Sequence, residues 1–427
     1  MLSEWYHSSA VLKYYLYKLS DSVGFIWPVF TLFLLWNDLT YTQIGTLSAI
    51  SAVLVVVFEL PTGYVADRLG RRNTLAAGMA AMSLSLAGFA IADTFLAFVV
   101  LYSIWSVSLA LHHGTDDAWL YATLQATADE TTFTRIKGRG GAVYQLGSAG
   151  TMIAGGFLYV VHPTYPFIAS ALLNFGGVAV VLSMPQNTQF ESAVESTTHP
   201  RRSLRVLQTQ FLRPPLRAFV AFVALFFGIV AGADTYIQPI IIDILSGAAL
   251  GEGAILPANL SPLAVPEEAT LGFVYAGFAI VAAVASYHAE AVRDWVGLRT
   301  ALIAVPVGVA TVFVLPVLLP VVAIPVFFVM KGGEALSKPL VGQYLNDRTA
   351  ETERATVLSA ASMSYAVVRA PLKPLAGLVA DVSTPVTAVA VLGVLFVVGA
   401  GILFAITTPL TPTTMSSSGR QGACAED

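Results

Sequence analysis

The sequence predicts an all-α membrane protein: twelve transmembrane helices in two pseudo-symmetric six-helix bundles. Three observations carry this. Of 427 residues, 56% are hydrophobic and only 11% charged, against about 25% charge in an ordinary soluble domain. The apolar residues gather in runs of the ~20 residues that cross a bilayer. The cationic residues gather in the short segments between those runs. A soluble protein with a mean hydropathy of +0.73 could not cover its own surface.

The apolar runs fall at 11–36, 41–65, 74–92, 95–123, 139–161, 164–184, 216–244, 269–289, 299–319, 321–345, 355–380 and 384–407. They are numbered here as spans 1 to 12. Several connections are a few residues long, so neighbouring helices form antiparallel hairpins. The longest polar insert, 185–215, carries Gln186, Asn187, Glu191 and Glu195, then Arg201, Arg202, Arg205 and Arg213. It reads as a cytoplasmic linker, its basic part an amphipathic surface helix. The expected division is a first bundle at 1–184, the linker at 185–215, a second bundle at 216–407 and a cytoplasmic tail at 408–427. Residues 1–10 lack a basic segment followed by a cleavage site, so the first span itself is expected to direct insertion.

Charge sets the orientation. With the N-terminus inside, the inner segments hold Arg68, Arg71, Arg72, Arg135, Lys137, Arg139, the linker arginines, Arg293, Arg299, Arg348 and Arg354. The outer segments hold Asp38, Asp93, Glu252, Glu267, Glu268 and Asp381 and no Lys or Arg. This is the positive-inside pattern, and it places both termini in the cytoplasm. The abundance of Ala, Val and Arg over Lys, with short loops, suggests a prokaryotic plasma membrane. The single cysteine, Cys424, excludes an internal disulfide or a cysteine metal site. There is no nucleotide-binding G-x-x-x-x-G-K-S/T loop and no basic patch with interleaved aromatics for nucleic acid. Neither a cofactor nor a metal is expected, and no convergent nucleophile suggests an enzyme. The expected assembly is a monomer.

The most informative stretch lies between spans 2 and 3: Gly63-Tyr64-Val65-Ala66-Asp67-Arg68-Leu69-Gly70-Arg71-Arg72. Gly63 permits close helix approach and Gly70 supplies a tight turn. Moved 227 positions along, Asp67, Gly70 and Arg72 fall on Asp294, Gly297 and Arg299, between spans 8 and 9. The same skeleton at the same place in both halves points to a duplicated architecture around a midplane cavity.

This loop resembles the G-x-x-x-D-R-x-G-R-R/K motif of the major facilitator superfamily, and the likeness covers nearly the whole chain. Glu59-Leu60-Pro61-Thr62-Gly63, the segment Gly114-Thr115-Asp116-Asp117-Ala118-Trp119-Leu120-Tyr121 and Arg354-Ala355-Thr356-Val357-Leu358-Ser359 resemble a prokaryotic subgroup of it. The resemblance implies a secondary transporter working by alternating access, with a small-molecule substrate and a proton or other coupling ion. It implies export of small amphipathic compounds, with uptake of a polar metabolite or organic anion as the alternative. It also implies a conformational latch at Gly63, Asp67, Arg68, Gly70, Arg71, Arg72, Asp294, Gly297 and Arg299. In span 5, Thr151-Met152-Ile153-Ala154-Gly155-Gly156 keeps the final glycine pair of the antiporter motif G-P-x-x-G-G and lacks its Gly-Pro. Gly147, Gly150, Gly155 and Gly156 form a small-residue face for packing.

Ionisable residues inside a span are costly and mark a transport pathway. The candidates are Asp21, Asp116, Asp117, Asp234, Lys331, Glu334 and Arg369. Lys18 and Asp21, and Lys331 and Glu334, are three residues apart and close enough to pair along a helix. Alternatively they face the cavity, with Asp21 or Asp234 carrying a proton. His112 and His113 are expected to be hydrated, not metal-binding. Phe25, Trp27 and Tyr236 sit at depths suited to an apolar pocket.

Overall fold

A computed structural model describes residues 2–22, 24–112, 114–125, 130–186, 214–247, 265–349 and 354–407. The expectations placed on the side chains of Glu59, Gly63 and Asp67, on His113, on the linker at 187–213 and on the tail at 408–427 lie outside the described residues. Every described element is helical. The first half comprises α1 (Leu2–Ser20), α2 (Phe30–Trp36), α3 (Tyr41–Leu69), α4 (Arg71–Phe89), α5 (Phe95–His112), α6 (Thr115–Gln125), α7 (Glu130–Val161) and α8 (Tyr165–Ser183). The second comprises α9 (Pro214–Ala233), a 3-10 turn at Asp234–Tyr236, α10 (Ile237–Leu245), α11 (Glu267–Tyr287) and α12 (Ala289–Val296). It continues with α13 (Leu298–Val312), α14 (Leu315–Leu318), a 3-10 turn at Pro320–Val322, α15 (Ala323–Asn346), α16 (Arg354–Val382) and α17 (Pro385–Ile406).

Eight of the twelve expected spans are long and apolar enough to cross a membrane among the described residues. Spans 1, 3, 5 and 11 fall short of that measure, for two reasons. Span 1 is interrupted between α1 and α2. The helices of the other three, α4, α7 and α16, are unbroken but carry charge and small residues, including Arg71, Arg72, Arg139, Arg369 and Lys373.

Three spans break at identifiable places. Span 1 is not helical at residues 21–22 and 24–29, the latter including Pro28. Span 4 turns at Gly114, with φ +73°. Span 7 tightens to the 3-10 turn at Asp234. Pro239 explains the last, because its ring clashes with the carbonyl four residues back, at Thr235, and it has no N–H to donate.

The duplicated loops take the same backbone. Gly70 has φ 77° and ψ 146°, and Gly297 has φ 83° and ψ 145°. Each sits at the start of the helix that opens the next span. That region is essentially restricted to glycine. No atom stands within 4 Å of a Cβ built at either, so an alanine there costs backbone strain alone. Gly70→Ala and Gly297→Ala are each expected to cost about 1–3 kcal/mol, read as a lower melting temperature in detergent. An unchanged melting temperature for both would refute this account of the loops.

The buried apolar side chains form one large cluster from 216–400 and two smaller ones from 14–184. The halves meet through backbone-close glycine contacts. A Cβ at Gly45 of α3 would lie 2.8 Å from Pro374 Cα of α16, and one at Gly377 would lie 2.7 Å from Thr42 Cα. On the other flank, a Cβ at Gly272 of α11 would lie 2.6 Å from the Met152 carbonyl oxygen, and one at Gly156 of α7 would lie 2.9 Å from Ala269 Cα. Gly155 packs on the Phe25 backbone and Gly147 on Leu19, whereas Gly150 meets nothing within 4 Å. The glycine contacts named here lie toward the end of the bundle that carries Asp38 and Asp381, the acidic end. Toward the opposite, arginine end, a second cavity is lined by Gln145 of α7, Ser286 of α11 and Lys338 of α15.

Candidate functional site: a two-faced cavity and two charge clusters

A cavity of about 200 Å³ lies between the halves, below the glycine contacts. The first half supplies an aromatic wall. Trp27 comes from the break in span 1, Phe30 from α2, and Tyr102 and Trp105 from α5. Their rings pack on one another, Phe30 standing 5.7 Å from Trp105 and 6.0 Å from Tyr102. The expectation for the other two aromatics is corrected. Tyr236 is fully buried against Tyr41, and neither it nor Phe25 lines this cavity.

The second half supplies a charged wall of Asp234, Arg369 and Lys373. Lys331, on α15, forms an ion pair with Asp234. Glu334 pairs instead with Lys338 at 2.8 Å, one turn along the same helix. The tertiary fold thus replaces the Lys331–Glu334 pair suggested by spacing. The 3-10 turn presents Asp234 to the cavity with its side chain 35% exposed.

Gln238 closes the roof. Its side-chain oxygen accepts from the N–H of Thr31 at 2.7 Å and of Leu32 at 3.2 Å. Its amide donates to the carbonyl of Trp27 at 2.8 Å and to the Tyr275 hydroxyl at 3.1 Å. The N–H groups of Thr31 and Leu32 and the carbonyl of Trp27 are backbone groups that the break in span 1 leaves without helical partners. One glutamine therefore satisfies the broken helix of the opposite half. Asp381 does the same for α3, accepting from Tyr41 N–H at 2.8 Å and Thr42 N–H at 2.9 Å. Burial pushes the Asp381 carboxyl up, but these bonds and those of the Thr42 and Thr40 side chains outweigh it and hold it below the ordinary carboxylate range.

The second charge cluster lies in the first half, where the breaks of spans 1 and 4 converge. Lys18 pairs with Asp116 at 2.5 Å, so the local Lys18–Asp21 pair gives way to a cross-helix one. Asp21 faces the His112 Nε2 at 3.9 Å, and the His112 ring stacks on Tyr17. His112 is part-buried, with its side chain 12% exposed and its Nε2 shielded from solvent, which corrects the expectation of a hydrated histidine. Its Nδ1 lies 2.8 Å from the Ser108 carbonyl oxygen. A carbonyl only accepts, so Nδ1 is assigned as the protonated nitrogen. Nε2 then points its lone pair at a carboxylate unless one of the two holds a proton. Asp117 is nearer the surface and pairs with Lys137 at 2.6 Å.

The loop arginines are engaged within the first half. Arg71 donates to the Ala118 carbonyl, and Arg72 donates to the Met184 carbonyl at 3.2 Å. They tie the start of span 3 to Ala118 of span 4 and to the end of span 6. Arg68 is exposed. Asp294 pairs with the neighbouring Arg293 at 2.7 Å, and Arg299 is exposed. No group of three or more His, Cys, Asp or Glu suited to a metal occurs among the described residues. Sequence reasoning missed Gln238 and Asp381. Gln238 is neutral in an otherwise apolar run, and its only signal is a polar residue directly before Pro239. Asp381 reads as an ordinary loop acid.

Two helical halves enclosing a cavity, with broken helices at its edge, define a multi-pass membrane protein of the transporter type. The chain belongs to the Major Facilitator Superfamily, whose family profile matches residues 19–371. Among curated relatives, the uncharacterised MFS-type transporter YxaM of Bacillus subtilis (strain 168) is 26% identical over 38% of this chain and 41% of its own length. The class B tetracycline resistance protein of Escherichia coli is 31% identical over 48% of this chain and 51% of its own length. The matches thus span about half the length of these relatives or less. Among solved structures, a mutant of the nucleoside transporter NupG superposes with a TM-score of 0.79 at 14% identity, covering 93% of this chain and 100% of that one. A D-xylose-proton symporter gives 0.64 at 13% identity, covering 94% and 97%. At such identities these structures speak for the fold.

Proposed function

We propose that the protein is a secondary active transporter that works by alternating access and exports small amphipathic compounds in exchange for protons. The observation that carries this reading is the cavity itself, with an aromatic wall from one half and a charged wall from the other. A substrate bound there touches both halves and couples to their relative movement. The arginine end is assigned to the cytoplasm by the positive-inside rule, and both termini lie there, in a plasma membrane. The described state is then closed outside, through Gln238, Asp381 and the glycine contacts, with the halves separated toward the cytoplasm. Residues 63–72 and 294–299 act as the latch that closes the cytoplasmic side in the other state.

Asp21 and His112 form the proton site in this reading. With Nδ1 held by a backbone carbonyl, the pair accommodates one proton between the Asp21 carboxyl and Nε2. Its loss leaves a carboxylate facing a lone pair at the point where spans 1 and 4 break. Lys18, Asp116, Tyr17 and, from α7, Tyr144 surround it. Asp234 is held by Lys331 and serves the cavity wall.

Proton movement in proteoliposomes, driven by a panel of lipophilic and organic-acid compounds, tests the reading. Substrate-driven proton flux is expected in the wild type and is expected to fall at least tenfold in Asp21→Asn, while substrate binding persists. Undiminished flux in the variant would remove Asp21 from the coupling step. Uptake of a polar metabolite or organic anion is the second reading, favoured by the two cations Arg369 and Lys373 at the cavity.

A further inference from the structure

The charged wall is unbalanced. It brings Lys331, Arg369 and Lys373 around a single acid, Asp234, and that acid is bound to Lys331. Arg369 and Lys373 are four residues apart on α16, one turn, and both line the cavity. Among the described residues neither has a hydrogen-bond or ion-pair partner. Like charges at this spacing repel, and the repulsion is stronger in a poorly solvated cavity than in water. Fixed cations with no counter-charge inside a membrane protein call for an anion to occupy the space between them. The first half offers none: its share of the lining is aromatic, aliphatic or hydroxyl-bearing, without a carboxylate.

We infer that the transported compound is an amphipathic organic anion, a carboxylate on an aromatic body. The inference rests on the reading of this cavity as the transport site. The carboxylate lies between Arg369 and Lys373, where the guanidinium fork takes both of its oxygens and the ammonium adds a third donor. The aromatic body lies on Trp27, Phe30 and Trp105. A cationic amphiphile meets two uncompensated positive charges and finds the one acid already paired, so it is excluded by repulsion.

Three probes with one ring and different head groups test this: 2-naphthoate, 2-naphthamide and 2-naphthylmethylamine. Their binding to the purified full-length protein is measured by titration calorimetry at pH 7.5, where the acid is ionised. The naphthoate is expected to bind about ten- to a hundredfold tighter than the neutral amide, the range of a charge-assisted hydrogen bond. The amine is expected to bind weakest. Arg369→Gln and Lys373→Gln should each remove most of the preference for acid over amide. Lys373→Arg should keep the preference, and melting curves confirm that each variant is folded. Equal binding of acid and amide, tightest binding of the amine, or an acid preference that survives both Gln substitutions would overturn the assignment. So would binding of none of the three. Substrate-driven flux in proteoliposomes is read separately, so the anion assignment can fail while the transport reading stands.

Discussion

Gly377→Leu is expected to abolish transport while leaving each half folded. Helices α3 and α16 touch backbone to backbone where Gly45 and Gly377 face each other's chains. A Cβ at 377 would lie 2.6 Å from the Tyr41 carbonyl carbon and 2.7 Å from Thr42 Cα. These are backbone atoms and cannot swing aside, so leucine must push the helices apart. Separation pulls Asp381 away from the N–H groups of Tyr41 and Thr42, which it holds at 2.8 and 2.9 Å. The outer closure then cannot form. The strain exceeds the 1–3 kcal/mol typical of an overpacked core, because the contact is backbone against backbone. It is avoided by staying open, so the cost falls on one conformation and not on the fold. The expected result is transport more than tenfold below wild type, with unchanged helical content. Transport within twofold of wild type would show that this contact does not close the carrier.

The second large effect concerns Lys331. Lys331→Met leaves Asp234 ionised beside the cavity without its partner. Removing one member of a fully buried pair costs about 3–5 kcal/mol. The Asp234 side chain is 35% exposed and keeps some solvation, so about 1–3 kcal/mol is expected here. Adding Asp234→Asn removes the orphaned charge, and most of the lost stability should return. Thermal melting of the single and double variants in detergent measures both steps. A double variant no more stable than Lys331→Met would mean that the pair is not the source of the loss.

Much of the architecture is legible in the sequence, because membrane physics is written locally. Apolar runs, cationic loops and the Asp-x-x-Gly-x-Arg echo each need only neighbouring residues. The glycines of the echo do adopt matching positive φ values at Gly70 and Gly297. The pairings are not local, and the sequence misleads about them. Helical spacing suggests Lys18 with Asp21 and Lys331 with Glu334, whereas the fold brings Lys18 to Asp116 and Lys331 to Asp234. Spans 1, 4 and 7 read as continuous apolar runs, yet their breaks place Asp21, His112 and Asp234. Only Gly114 and the prolines Pro28 and Pro239 mark those breaks in the sequence. Gln238 carries no charge and so escapes a search for buried ionisable groups, although it holds the two halves together at span 1.

The claim that this cavity opens to each side in turn can be measured with a single cysteine. Cys424 is the only native one, so Cys424→Ser gives a clean background for Ser48→Cys, on the cavity wall. Sealed right-side-out and inside-out vesicles are then treated with a membrane-impermeant maleimide. Alternating access requires labelling from both faces, and added Gly377→Leu should confine it to the outer face. Labelling from one face only, in the background that carries glycine at 377, would contradict the account.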